Sequence, residues 1–212
     1  MSRSTEELMQ SLREVEIPTL GHFLEDGFCD QDLRPVNSGP QLVGRARTLD
    51  LTKPDAFAVN RALLALEPGD VLVIRVAGRG HAPVGAVTAH AAIAQGAAGI
   101  VVDGPVTDQA ALRELQDTLP VFSTGLTART TKRSGELANE PDGALDRAIE
   151  IAGVTVRSGD LVLGDAQGVL FLPPTGPGDD VLDAALASDA AEPALVARIA
   201  SGEPLAAILA TE

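Results

Sequence analysis

The chain has no tryptophan and no tyrosine, and its aromatic share is 2%. With so few rings to stack on a nucleobase or a sugar, stacking is not expected to carry function. Cysteine occurs once, as Cys29. An internal disulfide and a cysteine-rich metal site are thereby excluded, which fits a reducing, cytoplasmic setting. Cations are few: 16 Lys and Arg stand against 30 Asp and Glu, for a formal net charge of −14. That surface repels phosphate backbones, so no nucleic-acid partner is expected, while a basic protein partner stays open. No window of about 18 apolar residues occurs, so no membrane span is expected. The charged start MSRSTEELMQSLREVE lacks the apolar run of a signal peptide.

What is present is aliphatic. Hydrophobic residues make up 45% of 212 residues, enough for one self-sufficient core of Val, Leu, Ile and Ala. We read residues 1–212 as a single domain, with N- and C-terminal helices used in packing or oligomerisation. TEELMQSLREV, 5–15, places Leu8, Leu12 and Val15 on one helical face. A second short helix is expected over 20–25, and loop over 27–40. QLVGRARTLDL, 41–51, alternates as a half-wet strand, and a helix follows near 55–66. The middle reads β-α-β-α-β: a buried strand at 71–76, an Ala-rich helix ending at Gly96, a strand in AGIVVDG, a helix in TDQAALRELQDT, and a strand in LPVFSTG. Such crossovers imply parallel strands buried on both faces. GDAQGV reads as a hairpin connection, and 179–209 as a terminal helix pair.

The segment VVDGPVTD, 101–108, carries the chemistry worth weighing. It reads as a strand ending at Asp103, a turn on Gly104-Pro105, and a second acid, Asp108, before a helix over 109–117. Asp103 suits a turn and Asp108 suits a helix N-cap. Equally, a carboxylate at the carboxyl end of a parallel strand lies where ligands bind in open α/β sheets, and Mg²⁺ needs only one or two carboxylates plus water. GRGHAPVG, 78–85, carries a partial G-x-G, too weak for a dinucleotide site because Pro83 stands at the third glycine position. Its backbone N–H groups near a helix start can hold a carboxylate or phosphate. His81 in this loop is a candidate acid or base, and Arg79 a candidate carboxylate partner, or else a solvated loop charge. His90 reads as a packing or surface residue and Cys29 as structural.

The order LEPGDVLVI, then GAVTAHAAIAQGAAGIVVDGPVTD, then LPVFSTG, then VTVRSGDLVLGDAQGVLFLP resembles the RraA-like family. Its members include the regulator of ribonuclease E activity A and the 4-hydroxy-4-methyl-2-oxoglutarate aldolases. The resemblance implies an α/β three-layer sandwich around a central mixed sheet, like the swivelling phosphohistidine domain, assembled as a homotrimer or homohexamer. It implies Mg²⁺ or Mn²⁺ and cleavage or decarboxylation of a small 2-keto acid through an enolate. Asp108 matches the family's metal ligand. Thr107 stands where the family has an arginine for the substrate carboxylate, and Ala86 where it commonly has an acid. The substrate-contacting set carried over is Gly80, Val84, Gly85, Ala86, Val87 and Thr107, with Arg79, His81 and Asp108 as the catalytic candidates. A diverged lyase is one reading; a non-catalytic regulator, or an isomerase or hydratase on the same scaffold, is the alternative.

Overall fold

In the computed structural model, residues 3–37, 39–133 and 145–209 are described. The chain divides into two compact units, Met1–Leu24 with Pro177–Glu212, and Glu25–Gly176.

The larger unit is built on a seven-stranded mixed sheet in the order β1-β5-β4-β3-β2-β8-β9. Its strands are β1 (Arg34–Pro35), β2 (Leu42–Leu51), β3 (Asp70–Val76), β4 (Gly99–Val106), β5 (Val121–Leu126), β8 (Leu161–Asp165) and β9 (Gly168–Leu172). A hairpin, β6 (Ile149–Ile151) and β7 (Val154–Val156), forms a second small sheet. Strands β2 to β5 run parallel, and β1, β8 and β9 pair antiparallel to their neighbours. The near-continuous apolar runs of β3 and β4 are buried on both faces, as central parallel strands must be.

Three helices, α3 (Ala56–Leu64), α4 (Ala86–Ala94) and α5 (Gln109–Glu114), contribute to the core on one face, where Val59, Ala89, Ala92 and Leu112 meet Ile74, Val102 and Val106. On the other face the hairpin residues Ile149, Ile151 and Val156 meet Val73, Val101 and Phe122. Side chains alternate along β4, so Val102 and Asp103 serve opposite layers.

The smaller unit holds α1 (Thr5–Glu14), α2 (Ile17–Leu20), α6 (Asp179–Ala200) and α7 (Leu205–Ile208). Ser4 and Glu7 form a capping box on α1, and Arg3 pairs with Asp179 and Asp183 of α6. Only Leu182 and Ala185 of α6 are buried. Leu195, Val196 and Ile199 on α6, with Leu205 and Leu209 beyond, stay exposed.

The structure differs from the sequence expectation at several boundaries. The second helix spans Ile17–Leu20 rather than 20–25, because Pro18 in its first turn starts it early. The expected loop 27–40 contributes the short edge strand β1. Residues 104–105 form no turn: β4 continues through Val106 with a register shift against β5 between Val102 and Pro105. Pro105 is tolerated because the pairing of β4 with β3 has already ended at Asp103. Helix α5 stops at Glu114, short of 117.

Candidate active site

The parallel strands deliver their carboxyl ends to a loop, residues 77–85, and to the β4–α5 junction. Asp108 takes a left-handed conformation, φ 55°, which aspartate tolerates better than most residues. It stands at the N-cap position of α5, yet its side chain does not cap that helix. Instead Oδ2 accepts the Ala86 N–H at 3.0 Å, at the start of α4. The expectation of a local N-cap is thus corrected: the carboxylate satisfies an orphan donor of the helix before it in the chain. The helix start in the glycine loop does hold a carboxylate, and it is the chain's own.

Gly85 makes this approach possible. A Cβ there would lie 2.5 Å from Asp108 Oδ2 and 2.8 Å from Thr107 Cγ2. The Thr107 N–H donates to the Val84 carbonyl at 2.9 Å, and its hydroxyl lies 3.4 Å from Asp108 Oδ1. Val84, Gly85, Ala86, Thr107 and Asp108 are therefore brought together. Their side chains face differently: Val84 is buried in the core, whereas Val87 is 85% exposed. A cleft of about 280 Å³, lined by Arg34, Val36, Ser123 and Leu126 among others, also takes in Gln109, the residue after Asp108.

Arg79 and His81 take other partners. Gly78 and Arg79 both have positive φ, 69° and 47°, and the arginine pays roughly 1–3 kcal/mol for its conformation. Its Nη2 lies 2.6 Å from Asp103 Oδ1. That oxygen makes no well-aligned hydrogen bond, while Oδ2 accepts the Ala152 N–H at 3.1 Å. Asp103 is accordingly not a turn acid but a buried strand residue in an ion pair. His81 is buried, with no partner for Nε2 among the described residues. Burial pushes its pKa below the ordinary histidine value, so the neutral ring is favoured. The next residue, Ala82, is tied by backbone hydrogen bonds to Arg129 and Thr131, which fixes the loop. His90 is exposed and its Nδ1 lies 2.8 Å from the Ala86 carbonyl.

The sequence reading passed over a charged row on the hairpin face. Register aligns Asp50, Arg75 and Asp103 across β2, β3 and β4. Arg75 bonds Asp50 through Nε at 2.8 Å and Nη2 at 2.6 Å. Polar residues at the last inward positions of three apolar strands were the available signal. Cys29, on the same side, donates to the Ile151 carbonyl at 3.8 Å. Burial, with Asp103 and Asp30 nearby, pushes its thiol up to about 12, which disfavours the nucleophilic thiolate.

Among the described residues no group of three or more His, Cys, Asp and Glu is placed to hold a metal ion. At the α4 start Asp108 offers a carboxylate oxygen donor, with Oδ1 only weakly engaged by the Thr107 hydroxyl. That fits a Mg²⁺-type ion that keeps most of its waters, not a zinc-type cage.

Residues 19–171 match the RraA-like family, described as Aldolase/RraA. The chain belongs to the RraA-like family. This RraA-like chain is 33% identical over 176 residues to a provisionally named 4-hydroxy-4-methyl-2-oxoglutarate aldolase of Halalkalibacterium halodurans, covering 82% of this chain and 80% of that protein. Among solved structures it is similar to Streptomyces coelicolor RraAS2, described as an unusual member of the RNase ES inhibitor RraA protein family. The TM-score is 0.73 at 27% identity, over 92% of this chain and 100% of that one. An uncharacterized Pseudomonas syringae protein shares the fold with a TM-score of 0.78 at 22% identity, over 98% of each chain. The α/β fold around a central mixed sheet is thus that of RraA proteins. Among the described residues no helix is long and apolar enough to cross a membrane.

Proposed function

We propose that this RraA-like protein is a diverged, divalent-metal-dependent carbon–carbon lyase acting on a small 2-keto acid through an enolate. The observation that carries the reading is Asp108: a carboxylate just past the end of a central parallel strand, anchored by the Ala86 N–H through one oxygen and met at the other by the Thr107 hydroxyl at 3.4 Å, a weak contact that a cation can replace. The aldolase name of the 33%-identical relative supports the reaction class.

Asp108 would hold Mg²⁺ or Mn²⁺. The ion supplies stabilisation of the negative charge that develops on the keto oxygen. Arg79 receives the substrate carboxylate in place of the arginine that Thr107 has displaced; a threonine supplies neither the charge nor the fork of a guanidinium. His81, held neutral by burial, takes and returns the proton. Gly80, Gly85, Ala86 and Val87 line the approach. The exposed apolar residues of α6 and α7 support assembly into a trimer or a hexamer.

A second reading is a regulator that binds a basic protein partner. Thr107 and Ala86 favour it, as does the likeness to RraAS2, described as an RNase ES inhibitor family member. The experiment that separates the two is pyruvate release from oxaloacetate and from 4-hydroxy-4-methyl-2-oxoglutarate, with Mg²⁺, with Mn²⁺ and with a chelator. Metal-dependent release supports the lyase. No release with any metal sinks it and leaves the regulator.

A further inference from the structure

We propose that Asp103 is a positioning residue: it ion-pairs with one arm of the Arg79 guanidinium and leaves the rest of the fork for a ligand carboxylate.

The argument starts from the charged row at the strand ends. Asp103 is 9% exposed and stands beside Arg75 in register. Arg75, however, is bonded by two nitrogens to Asp50 on its other side. Asp103 would then be a buried carboxylate without a cation, which is costly at low dielectric. The cation comes from the loop after β3. Two successive left-handed residues, Gly78 and Arg79, turn the chain back so that Arg79 Nη2 reaches Asp103 Oδ1 at 2.6 Å. The second carboxylate oxygen is held by the Ala152 N–H of the β6–β7 turn, which fixes the acid from behind.

The pairing is one-armed. Arg75 engages its acid through Nε and Nη2, whereas Arg79 engages Asp103 through Nη2 alone. The Arg79 side chain is 47% exposed, and among the described residues its guanidinium makes no further hydrogen bond or ion pair. An arginine meant only to neutralise Asp103 would be expected to present two donors, as Arg75 does to Asp50. A guanidinium held at one corner, with donors left over, is arranged to accept a second carboxylate in a fixed orientation. Orientation set in advance lowers the entropy cost of binding.

The inference deepens the keto-acid reading and rests on it for the choice of ligand. It is tested by the dissociation constant for pyruvate, measured by calorimetry on the full chain with Mg²⁺ present. The proteins compared are wild type, Asp103→Asn, Arg79→Gln and the double variant. Asn keeps the acceptor for Ala152 and removes the charge that orients Arg79. Each single substitution should weaken pyruvate binding about tenfold or more, and the double variant should be no weaker than Arg79→Gln alone. A purely structural role would weaken binding by the same factor in both backgrounds and would overturn the proposal. So would Asp103→Asn binding within about twofold of wild type, or a wild type that does not bind pyruvate at millimolar concentration. A measurement on wild type alone guards against a poorly folding variant: pyruvate should shift the ¹⁵N resonance of Arg79 Nε, and an unmoved resonance contradicts the inference. Pyruvate binding with this pattern, but no turnover of oxaloacetate, would uphold the positioning role and sink the lyase reading.

Discussion

The Asp108 carboxylate accepts the Ala86 N–H at 3.0 Å across 22 positions of sequence. One acid thus joins the end of β4 to the helix that follows β3. The carboxylate proposed to hold a cation is also the acceptor for the first turn of α4. Its two oxygens divide their partners: Oδ2 accepts the Ala86 N–H of α4, and Oδ1 takes the weaker contact with the Thr107 hydroxyl at 3.4 Å.

This division makes the cap separable from the charge. Asp108→Ala removes both and should destabilise the protein by about 1 kcal/mol, the usual worth of a helix cap. Asp108→Asn keeps an oxygen for the Ala86 N–H and should recover most of that loss. Urea unfolding midpoints of the three proteins check it. Equal midpoints for the Ala variant and wild type would mean the contact carries no stability.

Gly85 is required by contact, not by backbone conformation. Its φ of −147° is ordinary extended chain, but a Cβ would meet Asp108 Oδ2 at 2.5 Å. Gly85→Ala should cost roughly 1–3 kcal/mol through overpacking. In an Asp108→Gly background the cost should fall, because the tightest contact is gone and only that with Thr107 Cγ2 at 2.8 Å remains. A cost unchanged between backgrounds would refute the steric account.

His81 gives a pH signature. Its folded pKa lies below the ordinary 6.5, so the unfolded chain binds the proton more readily. Stability should therefore rise with pH through the window between the depressed value and 6.5, and fall on acidification through it. Above 6.5 this contribution is flat. His81→Gln should flatten the rise of the urea midpoint with pH below about 6.5, relative to wild type. A variant with an unchanged slope would place the titration elsewhere.

The larger part of the fold was legible because it rests on periodicity. Strand 41–51 is found at Leu42–Leu51 and strand 71–76 at Asp70–Val76, since alternation and continuous apolar runs report burial directly. Boundaries set by single residues were not. Pro105 looked like a breaker, yet it sits where β4 has outrun β3, a fact of pairing and not of propensity. The wiring of the candidate site was not legible. Asp108 and the glycine loop were identifiable as polar interruptions. That Asp108 would cap α4 depends on how closely Gly85 lets two segments approach, which no local pattern encodes. Asp103 likewise looked like a turn residue until its register beside Arg75 and its contact with Arg79 were known.

Cys29, half-buried, should behave as a poorly reactive thiol. With its pKa pushed up to about 12, modification of the native protein at pH 8 should run at least about a hundredfold slower than in denaturant. Rapid labelling of the folded chain would contradict the packing of residue 29 beside Asp103.

The most direct measurement is Mg²⁺-dependent pyruvate release from oxaloacetate by wild type and by Asp108→Asn, with the unfolding midpoint recorded for both. The account predicts turnover that stops on chelation and falls at least about a hundredfold in a variant that is still folded. Turnover that ignores the metal, or survives intact in Asp108→Asn, would contradict it.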